Sequence, residues 1–549
     1  MSNWLRCLAL LLSAGTAVPV VAAARCPAGD SYDLAVSAER ALARAEWPLA
    51  ARQYACAMQR SDDAALTERA TRTAYDNQQL ASAVAAARRW LELVPDSEIA
   101  RRYLATGLLR LYDDDGAAQQ FADLLKTSYP DRPRGYLALL GILAEERNET
   151  GAARVMDRLA AADPTIPEAQ YAASALWQHA EDGNRALAAA RHAMELRPDW
   201  RMAELAEVRA LVTIGKRDEA LEKSAKLAAG DDVFSRISHA WLLLGAERRA
   251  EATAIFEELQ RSGVAVSDAQ EGLGAIALDE RRFDDATKIF TGLARDPQNT
   301  ETVLWNLGRI AELTGDEKLA ARNYQRINSG SRSVAAQTRA ARLMQKQGAP
   351  ERAEILLDDF LAATPAATRD VVAGVGSALV EEGKGADAIA LVDRALALMP
   401  DDDLRLARAF LLERLDRLPE AVADMRAVVA RRPNDPVALN ALGYTLVDRS
   451  IAIAEGERLI ARAYAGKPDS FAIQDSMGWA QVRLGNLEEG RNWLARALEN
   501  SRDPEVAAHL GETFWLQGKR DEARRVWDEA LADNPESAPL MRAIERYPR

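Results

Sequence analysis

The fold is decided by residues 504–536, which read PEVAAHLGETFWLQGKRDEARRVWDEALADNPE. The positions that set the pattern are Leu510, Gly511, Phe514, Ala523, Trp527, Ala530 and Pro535. An alanine follows the glycine by twelve residues, and an aromatic residue follows that alanine by four. This spacing is typical of two antiparallel helices that cross closely at small residues. The proline cannot continue a helix, so the stretch predicts a helical hairpin that ends there.

The same spacing recurs along the chain with a period near 34 residues. It is clear in two further sets, Gly274, Ala286 and Phe290, and Gly308, Ala320 and Tyr324. The alanine that carries the register recurs as Ala50, Ala83, Ala117, Ala153, Ala186, Ala220, Ala252, Ala286, Ala320, Ala353, Ala388, Ala421 and Ala523, with glycine instead at Gly456 and Gly490. Repeats of this length stack on their neighbours, so the pattern predicts fifteen hairpins in register.

Prolines mark the ends of the predicted second helices. They are Pro95, Pro198, Pro365, Pro400, Pro433, Pro468 and Pro535. Inside each hairpin, we expect the small residue of the first helix to meet the alanine of the second. A large side chain four residues after the alanine is expected to fill the space beside this contact.

The glycine, aromatic, alanine and proline positions of residues 504–536 resemble the consensus of the tetratricopeptide repeat (TPR). The resemblance implies an all-α solenoid over residues 25–549, a right-handed superhelix of about fifteen helical hairpins, with the most consensus-like repeats at 436–536. The Sel1 and HEAT types of helical-hairpin solenoid are the alternatives. The period and the terminal proline disfavour both.

The composition restricts the classes of partner. The 549 residues carry a formal net charge of −13, whereas nucleic-acid binding needs a basic surface. The same charge disfavours a polybasic attachment to a membrane surface. Alanine and leucine dominate, and both favour helices. We therefore expect protein partners and no nucleic acid.

Residues 1–24 are predicted to be a signal peptide. A polar start closes at Arg6, and the apolar run that follows ends in Val21-Ala22-Ala23-Ala24, which suits cleavage after Ala23 or Ala24. A membrane anchor or a buried helix is the alternative, but the run is short and contains Gly15 and Pro19. The prediction places the mature chain in the periplasm, with outer-membrane association left open. Arg25 precedes Cys26 where a lipoprotein signal needs a small residue, so acylation is not expected.

The cysteines fit an oxidising compartment. Cys7 would leave with the signal peptide, which leaves Cys26 and Cys56. A disulfide between them is expected to tie the mature N-terminus to the first repeat. Two separate reduced thiols are the alternative.

The sequence offers no pattern typical of an enzyme. The histidines His179, His192, His239 and His509 form no metal-binding spacing. His509 is interpreted as a surface or capping residue. Residues 272–277 imitate a dinucleotide-binding loop, but no strand precedes them, so no cofactor is expected. Two acidic runs, residues 113–115 and 401–403, are interpreted as solvated helix caps.

The TPR resemblance also implies which residues line a binding surface. The lining positions lie three before the small residue of the first helix, and one and four after it. They are occupied by Trp241, Trp305, Arg309, Tyr444, Asp475, Trp479 and Trp515. Packing of these side chains against the next repeat is the alternative. Asn440 matches one position of the clamp with which chaperone-tail adaptors hold a carboxylate, but the partner lysines and second asparagine are missing.

A narrower resemblance rests on residues 438–444, 475–479 and 508–512, and on residues 304–361. These stretches resemble proteobacterial long TPR outer-membrane lipoproteins, which include the adaptor of a periplasmic carboxyl-terminal-processing protease. The resemblance implies an adaptor that presents clients such as cell-wall hydrolases to an envelope protease. The chain departs from that family in lacking a lipoprotein signal. A structural component of an envelope assembly or a polysaccharide-export complex is the alternative.

Overall fold

The structure is a computed structural model that describes residues 26–44, 46–230, 232–364, 367–398 and 401–547. These residues form α-helices and one short 3-10 segment at Pro297–Asn299, with no β-strand among them. The chain divides into two compact units, residues 1–104 and 105–549. The predicted signal peptide, Pro365 and Pro400 lie outside the described residues.

The first unit contains four complete helices and the start of a fifth. They are α1 (Ser31–Leu42), α2 (Trp47–Met58), α3 (Ala64–Asp76), α4 (Leu80–Leu93) and α5 (Glu98–Arg110), which continues into the second unit. Cys26 and Cys56 form a disulfide, so the segment before α1 is joined covalently to α2. Arg60 reinforces this attachment, because its Nη2 donates to the Pro27 carbonyl at 2.9 Å.

The second unit contains the remaining helices. They are α6 (Asp114–Ser128), α7 (Arg132–Leu143), α8 (Glu149–Ala162), α9 (Pro167–His179), α10 (Gly183–Leu196), α11 (Arg201–Thr213), α12 (Arg217–Ala228), α13 (Val233–Gly245), α14 (Arg249–Ser262), α15 (Val266–Asp279), α16 (Phe283–Leu293), α17 (Thr300–Leu313), α18 (Glu317–Tyr324), α19 (Ser333–Lys346), α20 (Pro350–Ala363), α21 (Thr368–Glu381), α22 (Gly385–Leu398), α23 (Asp402–Arg414), α24 (Leu418–Arg431), α25 (Pro436–Asp448), α26 (Ile453–Gly466), α27 (Phe471–Arg483), α28 (Leu487–Ser501), α29 (Pro504–Leu516), α30 (Arg520–Asp533) and α31 (Ala538–Arg546).

In the first unit α1 pairs with α2 and α3 with α4; in the second unit consecutive helices pair into hairpins from α7–α8 to α29–α30, and α31 packs against α29 after the last of them. The predicted all-α solenoid of helical hairpins is confirmed. Its register is also confirmed, because every alanine that carries the repeat is at most 1% exposed. The helix ends agree as well. α4, α10, α24, α26 and α30 each end two residues before a predicted proline.

The hairpins cross in two ways. Where an aromatic residue lies four positions after the repeat alanine, its ring occupies the space that a side chain on the first-helix glycine would fill. A Cβ built on Gly274 or Gly308 would come within 2.7 Å of the Phe290 ring or 2.5 Å of the Tyr324 ring. A side chain at either glycine would therefore collide with the ring. In α25–α26 and α27–α28 two glycines meet instead, and a Cβ on Gly456 would lie 2.5 Å from the Gly443 carbonyl oxygen.

The acidic runs act as caps, as predicted, but neither is fully solvated, since the Asp114 side chain is 14% exposed and pairs with Arg154. Asp113 accepts from the Gly116 N–H at 2.9 Å at the start of α6. Asp401 accepts from the Asp403 and Leu404 N–H groups at the start of α23, yet it is only 2% exposed. Asp401 tolerates burial because the Arg369 guanidinium pairs with it and neutralises its charge.

Distant hairpins of the second unit come back into contact. Arg154 on α8 donates from Nη1 to the Gly466 carbonyl at the end of α26, at 2.5 Å. Arg185 on α10 pairs with Asp469, in the turn before α27, at 2.8 Å. The α7–α8 hairpin is the fourth of the chain and α25–α26 the thirteenth, so the contact spans nine hairpins.

Candidate functional site

The first helices of the last repeats form a continuous surface groove. Two adjoining cavities of about 830 and 400 Å³ lie along α23, α25, α27 and α29. We call them together the terminal groove. Tyr444 borders both cavities, Trp479 borders the larger one and Asp475 the smaller. The structure thus brings together three of the seven side chains that the sequence assigned to a binding surface.

Local sequence explains why Tyr444 and Trp479 reach the groove. Each follows a glycine, Gly443 or Gly478, that faces the second helix of its own hairpin. A Cβ on Gly478 would lie 3.0 Å from the Gly490 carbonyl oxygen, so this face of the helix is fixed by close contact. The next residue is turned by about 100° around the helix axis. Its side chain therefore leaves the crossing and lies beside the first helix of the next repeat.

Asp475 and His509 form a buried pair between neighbouring repeats. The His509 Nδ1 and Asp475 Oδ1 atoms are 2.9 Å apart, and both residues are buried. Burial alone would lower the pKa of His509, but the charge and hydrogen bond of Asp475 outweigh it. The pKa of His509 is therefore raised above its usual value, which favours the imidazolium–carboxylate pair. The interpretation of His509 as a surface or capping residue is wrong.

Trp479 completes this pair on the groove side. Its ring stacks on the His509 ring with the centroids 4.3 Å apart and the planes 14° from parallel. Its Nε1 donates to Asp448 Oδ1 at 3.2 Å. Arg483, one turn further along α27, donates to the Asp448 carbonyl at 3.3 Å. Trp479 is only 3% exposed, so it holds neighbouring repeats together more than it offers a free surface.

Tyr444 spans two repeats in a similar way. Its hydroxyl donates to Glu505 Oε1 at 2.9 Å, from α25 to α29. Burial, followed by the nearby charges of Glu505, Asp448 and Asp475, raises the pKa of Tyr444, so the phenol stays protonated and serves as a donor. The groove wall is therefore a network of hydrogen bonds that joins α25, α27 and α29.

Glu413 is the carboxylate that this network satisfies least. It borders both cavities and accepts from Thr445 Oγ1 at a long 3.3 Å. The Arg449 Nε lies 4.0 Å from its carboxylate. Burial raises the pKa of Glu413, and the negative charges of Asp448 and Glu505 add to that effect against the opposing charge of Arg449. A cation placed at this point of the groove would be attracted to Glu413.

The other predicted side chains lie outside the two cavities. Three of them pack their rings against the second helix of their own hairpins, with centroid distances of 5.5 Å for Trp241–Phe256, 5.5 Å for Trp305–Tyr324 and 6.1 Å for Trp515–Trp527. Arg309 is exposed on α17. These four positions thus do not border the two cavities, and their assignment to a binding surface stays a prediction.

Three groove residues were missed by the sequence reasoning. Asp448, Glu505 and Glu413 lie outside the three lining positions, near the ends of their helices. They border the cavities from the ends of α23, α25 and α29. An acidic residue within two positions of each first-helix end is a signal that could have found them.

The described residues offer neither a metal site nor a membrane-spanning helix. No group of His, Cys, Asp and Glu side chains there could hold a metal ion. Nor does that part of the chain contain a helix long and apolar enough to cross a membrane.

Curated relatives share parts of the chain. This chain is 36% identical over 209 residues to a TPR repeat-containing protein of Pseudomonas aeruginosa. The matched segment covers 38% of this chain and 35% of that protein. The chain is 28% identical over 107 residues to bacteriophage adsorption protein A of Escherichia coli, covering 20% of this chain and 11% of that protein. The matches thus span about a third and a tenth of these relatives' lengths. No protein-family model matches the chain.

Solved helical-repeat structures are also similar. The APC/C hetero-tetramer Cut9–Hcn1 aligns with 94% of this chain and 96% of its own, at 15% identity and a TM-score of 0.32. A thermophilic TPR protein of Thermus thermophilus aligns with 32% of this chain and 97% of its own, at 22% identity and a TM-score of 0.30. At these TM-scores no conclusion about function follows from either structure.

Proposed function

We propose that the chain is a TPR-type protein-binding scaffold whose terminal groove holds a segment of a partner protein, and its 36% identity over 209 residues to a TPR repeat-containing protein supports this. The observation that carries the proposal is the groove itself. Side chains from four consecutive first helices line it, and they include exposed apolar residues and incompletely paired carboxylates. Such a mixture suits a polypeptide, which offers apolar, charged and hydrogen-bonding groups together.

The length of the groove also favours a polypeptide. Packed helices lie about 8–10 Å apart, so four of them in a row give a surface about 30 Å long. An extended chain covers that length with about nine residues. A small molecule would occupy only part of such a surface. The two cavities share the bordering residues Glu413, Tyr444 and Glu505, so they form one open groove.

We further propose a periplasmic adaptor that presents client proteins, such as cell-wall hydrolases, to an envelope protease. The support is the resemblance of residues 438–444, 475–479 and 508–512 to long TPR outer-membrane lipoproteins. These three stretches contribute Tyr444, Asp475, Trp479 and His509 to the groove and its supporting pairs. The predicted signal peptide supports the location.

In-cell crosslinking tests the scaffold. The full chain carries a C-terminal affinity tag in its own cells, and proteins crosslinked to it are identified by mass spectrometry. The groove variant replaces Phe410 and Phe471, which are exposed in the smaller cavity, by alanine. Phe234→Ala on α13 is the matched control, since Phe234 is also exposed but lies outside the groove.

Proteins captured by the wild type and by Phe234→Ala should be lost from the groove variant. A protease together with a cell-wall hydrolase among them would support the adaptor role. If the groove variant captures the same proteins as the wild type, the groove is not the binding site. Capture of partners other than a protease or a client would leave the scaffold standing and reject the adaptor.

The location has its own measurement. Cell fractionation should place the protein in the periplasm, and N-terminal sequencing of that fraction should begin at Ala24 or Arg25. Retention of Met1 in the purified protein would contradict both the signal peptide and the periplasmic location.

A further inference from the structure

Resting on the proposed function, we infer that the terminal groove selects a segment in which an apolar side chain lies next to a Lys or Arg. The apolar side chain would occupy the smaller cavity. The cation would lie between Glu413 and Glu505, the two carboxylates that border both cavities. This assignment names the chemistry of the bound segment, which the repeat fold alone does not specify.

The apolar part of the site is an exposed patch. Phe410, Val437 and Phe471 come from α23, α25 and α27, and all three are exposed although they are large and hydrophobic. They border a single cavity of about 400 Å³, so they form one patch and not three scattered residues. Clustered exposed apolar side chains around a concave site are typical of binding surfaces. A branched or aromatic side chain of a partner would cover them.

The charged part of the site has a negative excess in the smaller cavity, whereas Arg414, Arg449, Arg542 and Arg546 border the larger one. The smaller cavity is bordered by Glu413, Asp475, Asp503 and Glu505 against Lys467. Asp475 is committed to His509, and Asp503 caps α29 by accepting from the Glu505 N–H at 2.8 Å. Glu413 and Glu505 remain available.

These two carboxylates lack a close cation of their own. Among the described residues no Lys or Arg pairs with Glu505, whose hydrogen bond comes from the Tyr444 hydroxyl. Arg449 approaches Glu413 only to 4.0 Å. A cation from a partner would therefore add an attraction that the groove itself does not supply.

A side-chain acceptor without a hydrogen-bond partner in the described chain borders the smaller cavity. Asn440 borders the smaller cavity, and its Oδ1 atom is buried without a hydrogen-bond partner among the described residues. A buried acceptor of this kind loses free energy unless a donor reaches it. The backbone N–H of an extended segment lying along the groove would supply that donor.

Peptide selection tests the inference on the full mature protein. A phage-displayed library of short random peptides is selected on immobilised protein, and the affinity of an enriched, fluorescently labelled peptide is measured by anisotropy. The charge variant is Glu413→Gln with Glu505→Gln. The control is Glu529→Gln, an exposed acid on α30 outside the groove.

Enriched peptides should carry Lys or Arg next to an apolar residue. The charge variant should bind them about tenfold more weakly, because it loses two ion pairs at the groove surface, and the control should bind normally. Selected peptides without basic residues, or equal binding by the charge variant, would overturn the inference. If those peptides still lost affinity in the Phe410→Ala, Phe471→Ala variant, the groove would remain a binding site and the proposed function would stand. Failure to enrich any peptide would count against both.

Discussion

Trp241 and Trp479 occupy the same position of their repeats, one residue after Ala240 and Gly478, yet their surroundings differ. Trp241 is 37% exposed and contacts Phe256 of its own hairpin, whereas Trp479 is 3% exposed beneath His509 of the next repeat. The next repeat explains the difference. In the repeat after Trp479, His509 lies two residues before Gly511 and covers the Trp479 ring. In the repeat after Trp241, the equivalent position is Gly272, two residues before Gly274. Gly272 has no side chain that could cover the Trp241 ring.

His239 in the central repeats and His509 in the terminal repeats also have different surroundings. His239 on α13 is buried with its Nδ1 2.8 Å from the Ser224 hydroxyl. Burial, reinforced by the charge of Arg248, lowers the pKa of His239 below its usual value. The carboxylate of Asp475 has the opposite effect on His509. The His239 contact thus joins α12 to α13 through neutral groups, whereas the His509 contact joins α27 to α29 through a charged pair.

Replacing each tryptophan by alanine should sharpen this contrast most. Trp479→Ala should destabilise the last hairpins by about 3–5 kcal/mol, because it removes a buried ring and leaves a cavity. Trp241→Ala should cost clearly less, since part of that ring is already hydrated. Hydrogen–deuterium exchange is the suitable measurement, because a long repeat array need not unfold in a single step. Equal loss of protection around the two sites would contradict the contrast.

The close crossing of a central hairpin gives the next effect. Ala286 is fully buried where α15 and α16 cross. Ala286→Leu should destabilise by about 1–3 kcal/mol through overpacking, and the neighbouring hairpins should also weaken. Lys288→Leu, exposed on the same helix, is the control and should change little. Thermal melts followed by circular dichroism compare them. A wild-type melt for Ala286→Leu would mean that the register is wrong.

The sequence was sufficient to predict the hairpins because their geometry depends on local spacing. A helix pair that crosses closely needs a small residue at a fixed distance from the turn, so Ala286 and its equivalents carry the register directly. Trp479 and His509 could not be paired in the same way. Their stacking depends on the offset between neighbouring hairpins and on which side chain the next repeat supplies. Contacts nine hairpins apart, such as Arg154–Gly466, depend on rotations that accumulate over many repeats and that the period does not specify.

The two histidines predict opposite responses to pH. The pKa of His509 is raised in the folded state. Its contribution to the free energy of unfolding is therefore complete below the unfolded-state pKa, near 6.5, and is lost as the pH rises through the folded-state pKa. The pKa of His239 is lowered in the folded state. Its contribution to the free energy of unfolding is therefore complete above the unfolded-state pKa of 6.5 and is lost as the pH falls through the folded-state pKa. Exchange protection, corrected for intrinsic rates, should therefore fall in α27 and α29 with rising pH, and in α13 with falling pH.

Asp475→Asn serves as the control for this pH test. The variant removes the charge that raises the pKa of His509, so the loss of protection in α27 and α29 with rising pH should disappear. The response of α13 should remain, since His239 has other neighbours. The same pH response in the variant and the wild type would mean that the Asp475–His509 pair is not its source.

The smallest expected change in stability comes from breaking the ion pair between Arg185 on α10 and Asp469 in the turn before α27. The Arg185 and Asp469 side chains are 44% and 60% exposed, and an exposed ion pair contributes at most about 1 kcal/mol. Asp469→Asn is the better change, because Arg185 also lies over the Trp177 ring at 4.5 Å and its removal would disturb two contacts. The variant should raise exchange slightly both in α10 and in the turn before α27. High salt should abolish the difference from the wild type, since it screens exposed charges. A change confined to the turn around Asp469 would show that the fifth hairpin does not hold the terminal repeats.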